Sequence, residues 1–223
     1  MALDTATHQT LTSAIAHYNN DPSVHGLIIQ RPVPISYLGK TLSLVLPAKD
    51  IDGFLPHTLF EVPVARAILT ILEYIHTQLS HAGLVNVRFK PWLNSQSIAV
   101  VGRGETAGRP IATALKTYDC MISVIHSETN NPEKILKHAA VIISCVGKKN
   151  ILTKKNITPG SILISVGITK DADNSLHGDY EEKEIAGVAS FFTPTPGGVG
   201  PVNVACLMQN LVEAATVASM KSV

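Results

Sequence analysis

The chain has 223 residues, 45% hydrophobic and 16% charged, which is enough apolar material for one large core or two small ones and too little charge for a disordered, solvated chain. Lys and Arg number 18 and Asp and Glu 17, a net charge of +1 with no charged block, which excludes a nucleic-acid binder that works through bulk charge. Aromatic residues are 5%, too sparse for a base-stacking platform.

The first periodic segment, residues 10–20, puts Leu11, Ala14, Ile15 and Tyr18 on one helical face and stops at Asn19-Asn20-Asp21-Pro22. Residues 24–29 are a short run rich in branched side chains, the pattern of a buried strand, and Pro32 and Pro34 end it. Gln30 stands at the carboxyl end of that run, where α/β sheets place functional groups. Pro47-Ala48-Lys49-Asp50-Ile51-Asp52-Gly53-Phe54 is a charged loop with a turn glycine. Residues 63–78 carry Val64, Ala67, Ile68, Ile71, Leu72 and Ile75 on one helical face, with Pro63 in the first turn. Residues 82–97, with Gly83, Asn86, Pro91 and Asn94, predict a connection between domains.

A second unit follows. Strands are predicted at 98–101, 121–125, 141–146 and 162–166, with a fifth at Phe191-Phe192, and helices at 111–118 and 131–138 lie between the early ones. Such alternation means βαβ units and a parallel sheet. Thr193-Pro194-Thr195-Pro196-Gly197-Gly198-Val199-Gly200-Pro201 is a loop dense in Pro and Gly, and a last helix is predicted from about 203 to 219. Cys120, Cys145 and Cys206 lie far apart in apolar contexts without ligand spacing, so no metal site is expected and a reducing compartment fits. The apolar runs are too short to span a bilayer, and the first eight residues lack the regions of a signal peptide. A cytoplasmic protein acting on small molecules, with no membrane or nucleic-acid partner, is expected.

Gly102, Gly104 and Gly108 sit between a buried strand and a helix, as GxGxxxG. Small residues there let backbone approach a pyrophosphate, and the helix N-terminus offers N–H groups, so the loop predicts dinucleotide binding. The next strand ends at Ile125-His126-Ser127, without an acid at the position that reads ribose hydroxyls. Arg103 and Ser127 suit a 2′-phosphate and favour NADP; the alternative takes Glu128 as a ribose acceptor for NAD.

These blocks in this order resemble the bifunctional methylenetetrahydrofolate dehydrogenase/cyclohydrolase family. Gly26-Leu27-Ile28-Ile29-Gln30-Arg31-Pro32-Val33-Pro34 resembles its strand ending in Gln-Leu-Pro-Leu-Pro, and Lys49-Asp50-Ile51-Asp52-Gly53 its Lys-Asp-Val-Asp-Gly loop. Gly102-Arg103-Gly104 resembles its Gly-Arg-Ser, and His126-Ser127-Glu128-Thr129 its His-Ser-x-Thr. Pro159-Gly160, Val166-Gly167-Ile168 and Pro196-Gly197-Gly198-Val199-Gly200-Pro201 match as well. The chain departs from the family at Val64-Ala65-Arg66 after Pro63, at Gly104 and at Asn203.

The resemblance implies an α/β fold in two domains, a Rossmann-type parallel-sheet cofactor domain over 93–200 and an N-terminally incomplete substrate domain over 1–92, to which a helix at 201–223 returns. It implies oxidation of 5,10-methylenetetrahydrofolate by NADP and hydrolysis of the methenyl product to 10-formyltetrahydrofolate, with folate between the domains. Gln30 would position the one-carbon centre and its water, and Asp52 would hold the pterin N–H groups. Ile29, Arg31, Pro196, Gly197, Gly198, Val199 and Gly200 would complete the substrate site. Gly102, Arg103, Gly104, Gly108 and Ser127 would hold the cofactor phosphates, and Ile168 would line the nicotinamide end. A homodimer through the cofactor domain is implied. The family's catalytic Tyr and the Lys four residues later lie upstream of the first matched helix. None of Tyr18, Tyr37, Tyr74, Tyr118 and Tyr180 has Lys four residues on, and the nearest spacing is Tyr37 to Lys40. Turnover is therefore expected to depend on a segment outside these residues. The alternatives are a non-catalytic NADP- or folate-binding protein and another two-domain NADP dehydrogenase.

Overall fold

The structure, a computed structural model, describes residues 7–31 and 43–220. Pro32, Val33, Pro34, Tyr37 and Lys40 lie outside the described residues. The chain divides into two compact units, Met1–Pro63 with Val204–Val223, and Val64–Asn203. The sequence places its boundaries after residues 92 and 200. The long helix beginning at Pro63 groups instead with the sheet that follows it.

In the first unit, helix α1 (His8–Asn20) starts at Thr7, whose hydroxyl accepts from Thr10 N at 3.2 Å while Thr10 Oγ1 accepts from Thr7 N at 2.9 Å. It buries Ile15 against Val45 and Leu55, with Leu11, Leu27 and Ile29 packed alongside. The half-buried Lys49 ammonium donates to Tyr18 O, Asn19 O and Asp21 O, each at 2.8 Å, and so satisfies carbonyls that the helix end leaves open. Lys49 closes a 3-10 turn, Pro47–Lys49.

The predicted strand at 24–29 is reduced to one parallel bridge, Leu27 to Asp50, with Leu27 N donating to Lys49 O at 2.7 Å. A strand is defined by a neighbour as much as by its own residues, and among the described residues this run makes no β-bridge besides the one to Asp50.

In the second unit, α2 (Pro63–His81) runs three residues beyond its predicted end and stops at Gly83, whose φ is +71°. The predicted connector contains helix α3 (Phe89–Asn94), with Trp92 and Leu93 buried and the Trp92 ring 5.3 Å from His76. Six residues are too few to show a helical period in sequence.

The sheet is parallel, in the order β2 (Ile122–Ile125), β1 (Ile98–Val101), β3 (Val141–Ser144), β4 (Ile162–Ser165) and β7 (Phe191–Phe192). Strands β1, β3 and β4 are buried at every position, which is why they read as unbroken apolar runs. Helices α4 (Gly108–Thr117) and α5 (Pro132–His138) join the first three strands in sequence. The hairpin of β5 (Thr169–Lys170) and β6 (Leu176–His177), and the single-turn α6 (Glu182–Ile185), have no sequence signal of their own.

Helix α7 is Val199–Met220 and starts four residues before its predicted point. Val199, Gly200 and Pro201 form its first turn rather than loop, because a proline there sacrifices no intrahelical N–H bond. From Val204 on, α7 belongs to the first unit, where Leu207, Leu211 and Ala214 pack with Ile51 and Phe60. Among the described residues no helix is long and apolar enough to cross a membrane.

Candidate cofactor and substrate sites

The carboxyl ends of β1, β2, β3 and β4 converge on one edge of the sheet, where ligands bind in open α/β folds. Chain direction turns sharply after Val101. Gly102 has φ +105°, and a Cβ there would lie 3.1 Å from Cys145 O. A Cβ on Gly108, the first residue of α4, would lie 2.1 Å from Gly102 O, so only glycine lets the helix start against the loop. A Cβ on Gly104 would meet nothing within 4 Å, so this backbone faces open space. The N-cap of α4 is Ala107, and no side chain caps the helix. Its N-terminal partial charge is thus left for a ligand.

Beside this loop, Ser127 and Glu128 sit on a turn closed by Thr129. Thr129 Oγ1 accepts from His126 N and Thr129 N donates to His126 O, both at 2.9 Å. Both presented side chains are exposed. Arg103 Nη2 lies 3.3 Å from Glu128 Oε2. Gly102, Arg103, His126, Ser127, Lys148 and Asn156 line a cavity of about 580 Å³, a size suited to a small-molecule ligand. A glycine cradle, an uncapped helix start, an Arg and a Ser hydroxyl are the donor set that a phosphorylated dinucleotide requires. The residues fit the group.

Ile168 lies outside that cavity lining and is 53% exposed beyond the end of β4. Its carbonyl packs on the loop after β3: a Cβ on Gly147 would lie 3.1 Å from Ile168 O, and Thr169 Oγ1 donates to Gly147 O at 2.7 Å. The loop after β3 is held by Asp179, which has no motif signal and whose N–H donates to Ser165 Oγ at the end of β4 at 2.9 Å. Its fully buried carboxylate accepts from Ser144 Oγ at 2.6 Å, Val146 N at 3.1 Å and Lys148 N at 2.8 Å. A Cβ on Gly167 would lie 2.5 Å from that carboxylate. Burial, and then the Asp179 charge, push the Cys145 thiol up to about 12, so it is no nucleophile at neutral pH.

The turn at Thr195, Pro196 and Gly197 leads into α7. Thr195 N donates to Glu182 Oε1 at 2.7 Å, and Tyr180 OH donates to Thr193 O at 2.7 Å, so α6 and the segment before it fix the turn. Gly197 has φ +103°, and a Cβ on Gly198 would lie 2.4 Å from Pro194 O. Val199 is buried and Gly200 exposed, both in the first helical turn.

In the first unit, Gln30 is exposed, with Nε2 donating to Arg31 O at 3.3 Å. Ile29 packs with the α1 cluster. The Arg31 guanidinium lies 4.2 Å from the Phe54 ring centroid, and its buried Nε has no hydrogen-bond partner among the described residues. Asp52 is half-buried. Burial raises its carboxyl above the ordinary value, the Asp50 charge raises it further, and Arg31 opposes both. Asp50 itself is tied down, accepting from Leu55 N at 2.9 Å. Asn210 Nδ2 donates to Ile51 O and Glu61 O, each at 2.9 Å, and pins the loop that carries Asp52. Gly53 turns that loop at φ +75°, and a Cβ there would lie 2.9 Å from Val62 N. Asp179 and Asn210 are the supports that sequence alone misses, since each acts through partners far away in the chain.

Residues 66–219 match the family described as tetrahydrofolate dehydrogenase/cyclohydrolase, NAD(P)-binding domain. The bifunctional protein FolD 4, chloroplastic, of Arabidopsis thaliana is 36% identical over 225 residues, covering 96% of this chain and 61% of its own length. The bifunctional protein FolD of Lactococcus lactis subsp. lactis is 30% identical over 216 residues, covering 96% and 74%. The solved methylenetetrahydrofolate dehydrogenase/cyclohydrolase of Campylobacter jejuni superposes with a TM-score of 0.81 at 27% identity, over 95% of this chain and 74% of that one. That of Trypanosoma brucei, complexed with NADP and an inhibitor, gives 0.82 at 27% identity, over 96% and 74%. The chain thus spans 61% of the Arabidopsis relative and 74% of the other three.

Proposed function

The chain belongs to the tetrahydrofolate dehydrogenase/cyclohydrolase family, and from that membership we propose that it serves folate one-carbon interconversion: oxidation of 5,10-methylenetetrahydrofolate with NADP and hydrolysis of the methenyl product to 10-formyltetrahydrofolate. The observation that carries this reading is the glycine cradle with Arg103 and Ser127 at the mouth of the cavity, inside the segment that matches the family's NAD(P)-binding domain. NADP, when bound, supplies the hydride acceptor.

Gly102, Gly104 and Gly108 let backbone reach the pyrophosphate, Arg103 and Ser127 hold the 2′-phosphate, and Ile168 lines the nicotinamide end. Asp52 accepts from the donor-rich edge of the pterin. Gln30, exposed and with its amide on its neighbour's carbonyl at 3.3 Å, orients the one-carbon centre and its water. Pro196, Gly197, Gly198, Val199 and Gly200 offer backbone where larger side chains would collide with the substrate. A cytoplasmic homodimer, paired through the cofactor unit, completes the reading.

Calorimetric titration with NADP tests it. Binding is expected, and Arg103→Ala should weaken NADP by about tenfold or more while changing NAD far less. An assay with 5,10-methylenetetrahydrofolate and NADP should yield reduced cofactor. NADP binding without turnover would replace the enzyme reading with a binding role, and no binding of either nucleotide would overturn both.

A further inference from the structure

We propose that Glu128 sets the nucleotide preference of the cofactor site, by lowering the advantage of a 2′-phosphate over a 2′-hydroxyl. The inference rests on the cofactor reading above and adds a specificity-determining residue to it.

Glu128 stands just past the carboxyl end of β2, where folds of this kind read the ribose. Its Oε2 lies 3.3 Å from Arg103 Nη2, so the guanidinium offered to a 2′-phosphate already carries a carboxylate partner. The turn holds it there: Glu128 N donates to His126 Nδ1 at 3.3 Å, and the carboxylate lies 3.9 Å from the same ring nitrogen.

The wider charge balance points the same way. The cavity is lined by Arg103 and Lys148 but also by Glu133, and Glu128 beside it makes the signs equal. A phosphate dianion therefore enters a site with no net positive charge while histidine is neutral, and it must share or displace the Arg103 pair. A ribose 2′-hydroxyl meets the opposite situation, because it can donate to Glu128 and leave Arg103 where it is. One side chain thus penalises the phosphorylated nucleotide and favours the plain one.

Both partners are largely exposed, so the effect is modest and screened by salt. The adenosine ends alone are sufficient probes: adenosine 2′,5′-bisphosphate and adenosine 5′-diphosphate, titrated by calorimetry into the wild-type chain and Glu128→Gln. The variant is expected to bind the bisphosphate about 3- to 10-fold more tightly and the diphosphate no more tightly. Glu128→Lys should move the ratio further in the same direction. The gain should be large at about 0.01 M salt and shrink below about twofold near 1 M, where the Debye length falls from about 30 Å to about 3 Å. A ratio changed less than twofold at low salt, or a change that salt does not reduce, overturns the role of Glu128 while leaving the cofactor site standing. Binding of neither probe by the wild-type chain overturns the cofactor reading and this inference together.

Discussion

Asp52 shows what burying a carboxylate does to the fold. Its carboxyl is raised above the ordinary 3.8 by burial and by Asp50, with Arg31 opposing. Between 3.8 and the raised folded value, the folded chain holds more proton than the unfolded chain. The stability contribution of Asp52 therefore falls as pH rises through that window and is least favourable above it. Asp52→Asn should melt no lower than wild type at pH 7, and the difference should vanish below about pH 4. If Asp52 holds the pterin, the same change should weaken a tetrahydrofolate analogue by about tenfold or more, with NADP affinity unaltered. Wild-type folate affinity should also decline as pH falls through the raised value. Thermal melts and calorimetry across pH 4–8 check both. Gln30 and Asp52 are legible in sequence because each sits in a motif, whereas Asp179 and Asn210 are not, because their partners are brought close only by folding.

The glycine loop gives the sharpest contrast among the elements. Gly104 and Gly108 look equivalent as letters, yet one faces open space and the other touches the Gly102 carbonyl. Gly108→Ala should force strand β1 and helix α4 apart, at a cost of about 1–3 kcal/mol in unfolding free energy with loss of nucleotide affinity. Gly104→Ala should leave stability within about 0.5 kcal/mol. Urea unfolding followed by circular dichroism, with nucleotide titration beside it, separates the two. The strands and helices of the second unit follow their sequence patterns because their burial is complete and their periods are clean. Where the pattern misleads, a neighbour decides: among the described residues, the run at 24–29 makes a single bridge, to Asp50, and Pro201, predicted as loop, fits the first turn of a helix where no intrahelical N–H bond is lost.

Across the whole molecule, stability is unevenly spread. Strands β1, β3 and β4 are paired on both edges and buried throughout, while β2 and β7 lie at the ends of the sheet order. Amide hydrogen exchange should accordingly be slowest at Val100, Ile143 and Leu163, and faster by about tenfold or more in β2 and around the Leu27 bridge. Uniform protection across these segments would contradict this arrangement. The chain also builds its first unit from distant parts, since residues 51–61 depend on Asn210, Leu211 and Ala214 of α7. Disrupting α7 at Asn210 therefore acts on the loop of Asp52, an effect that no local reading of that loop contains.

Sequence alone determined the class of fold, the parallel order of alternating strands and helices, the glycine loop and the family resemblance. These are written in local periodicity, turn chemistry and ordered motifs, which depend on neighbours a few residues away. Only the tertiary structure decided that Asp179 ties the loop after β3 to the end of β4, that Asn210 pins the Asp52 loop, that the described run at 24–29 makes a single bridge, and that Glu128 rests on Arg103. Hydrogen bonds, close glycine contacts and ion pairs between distant residues have no period in the sequence. They exist only once burial has brought their partners together.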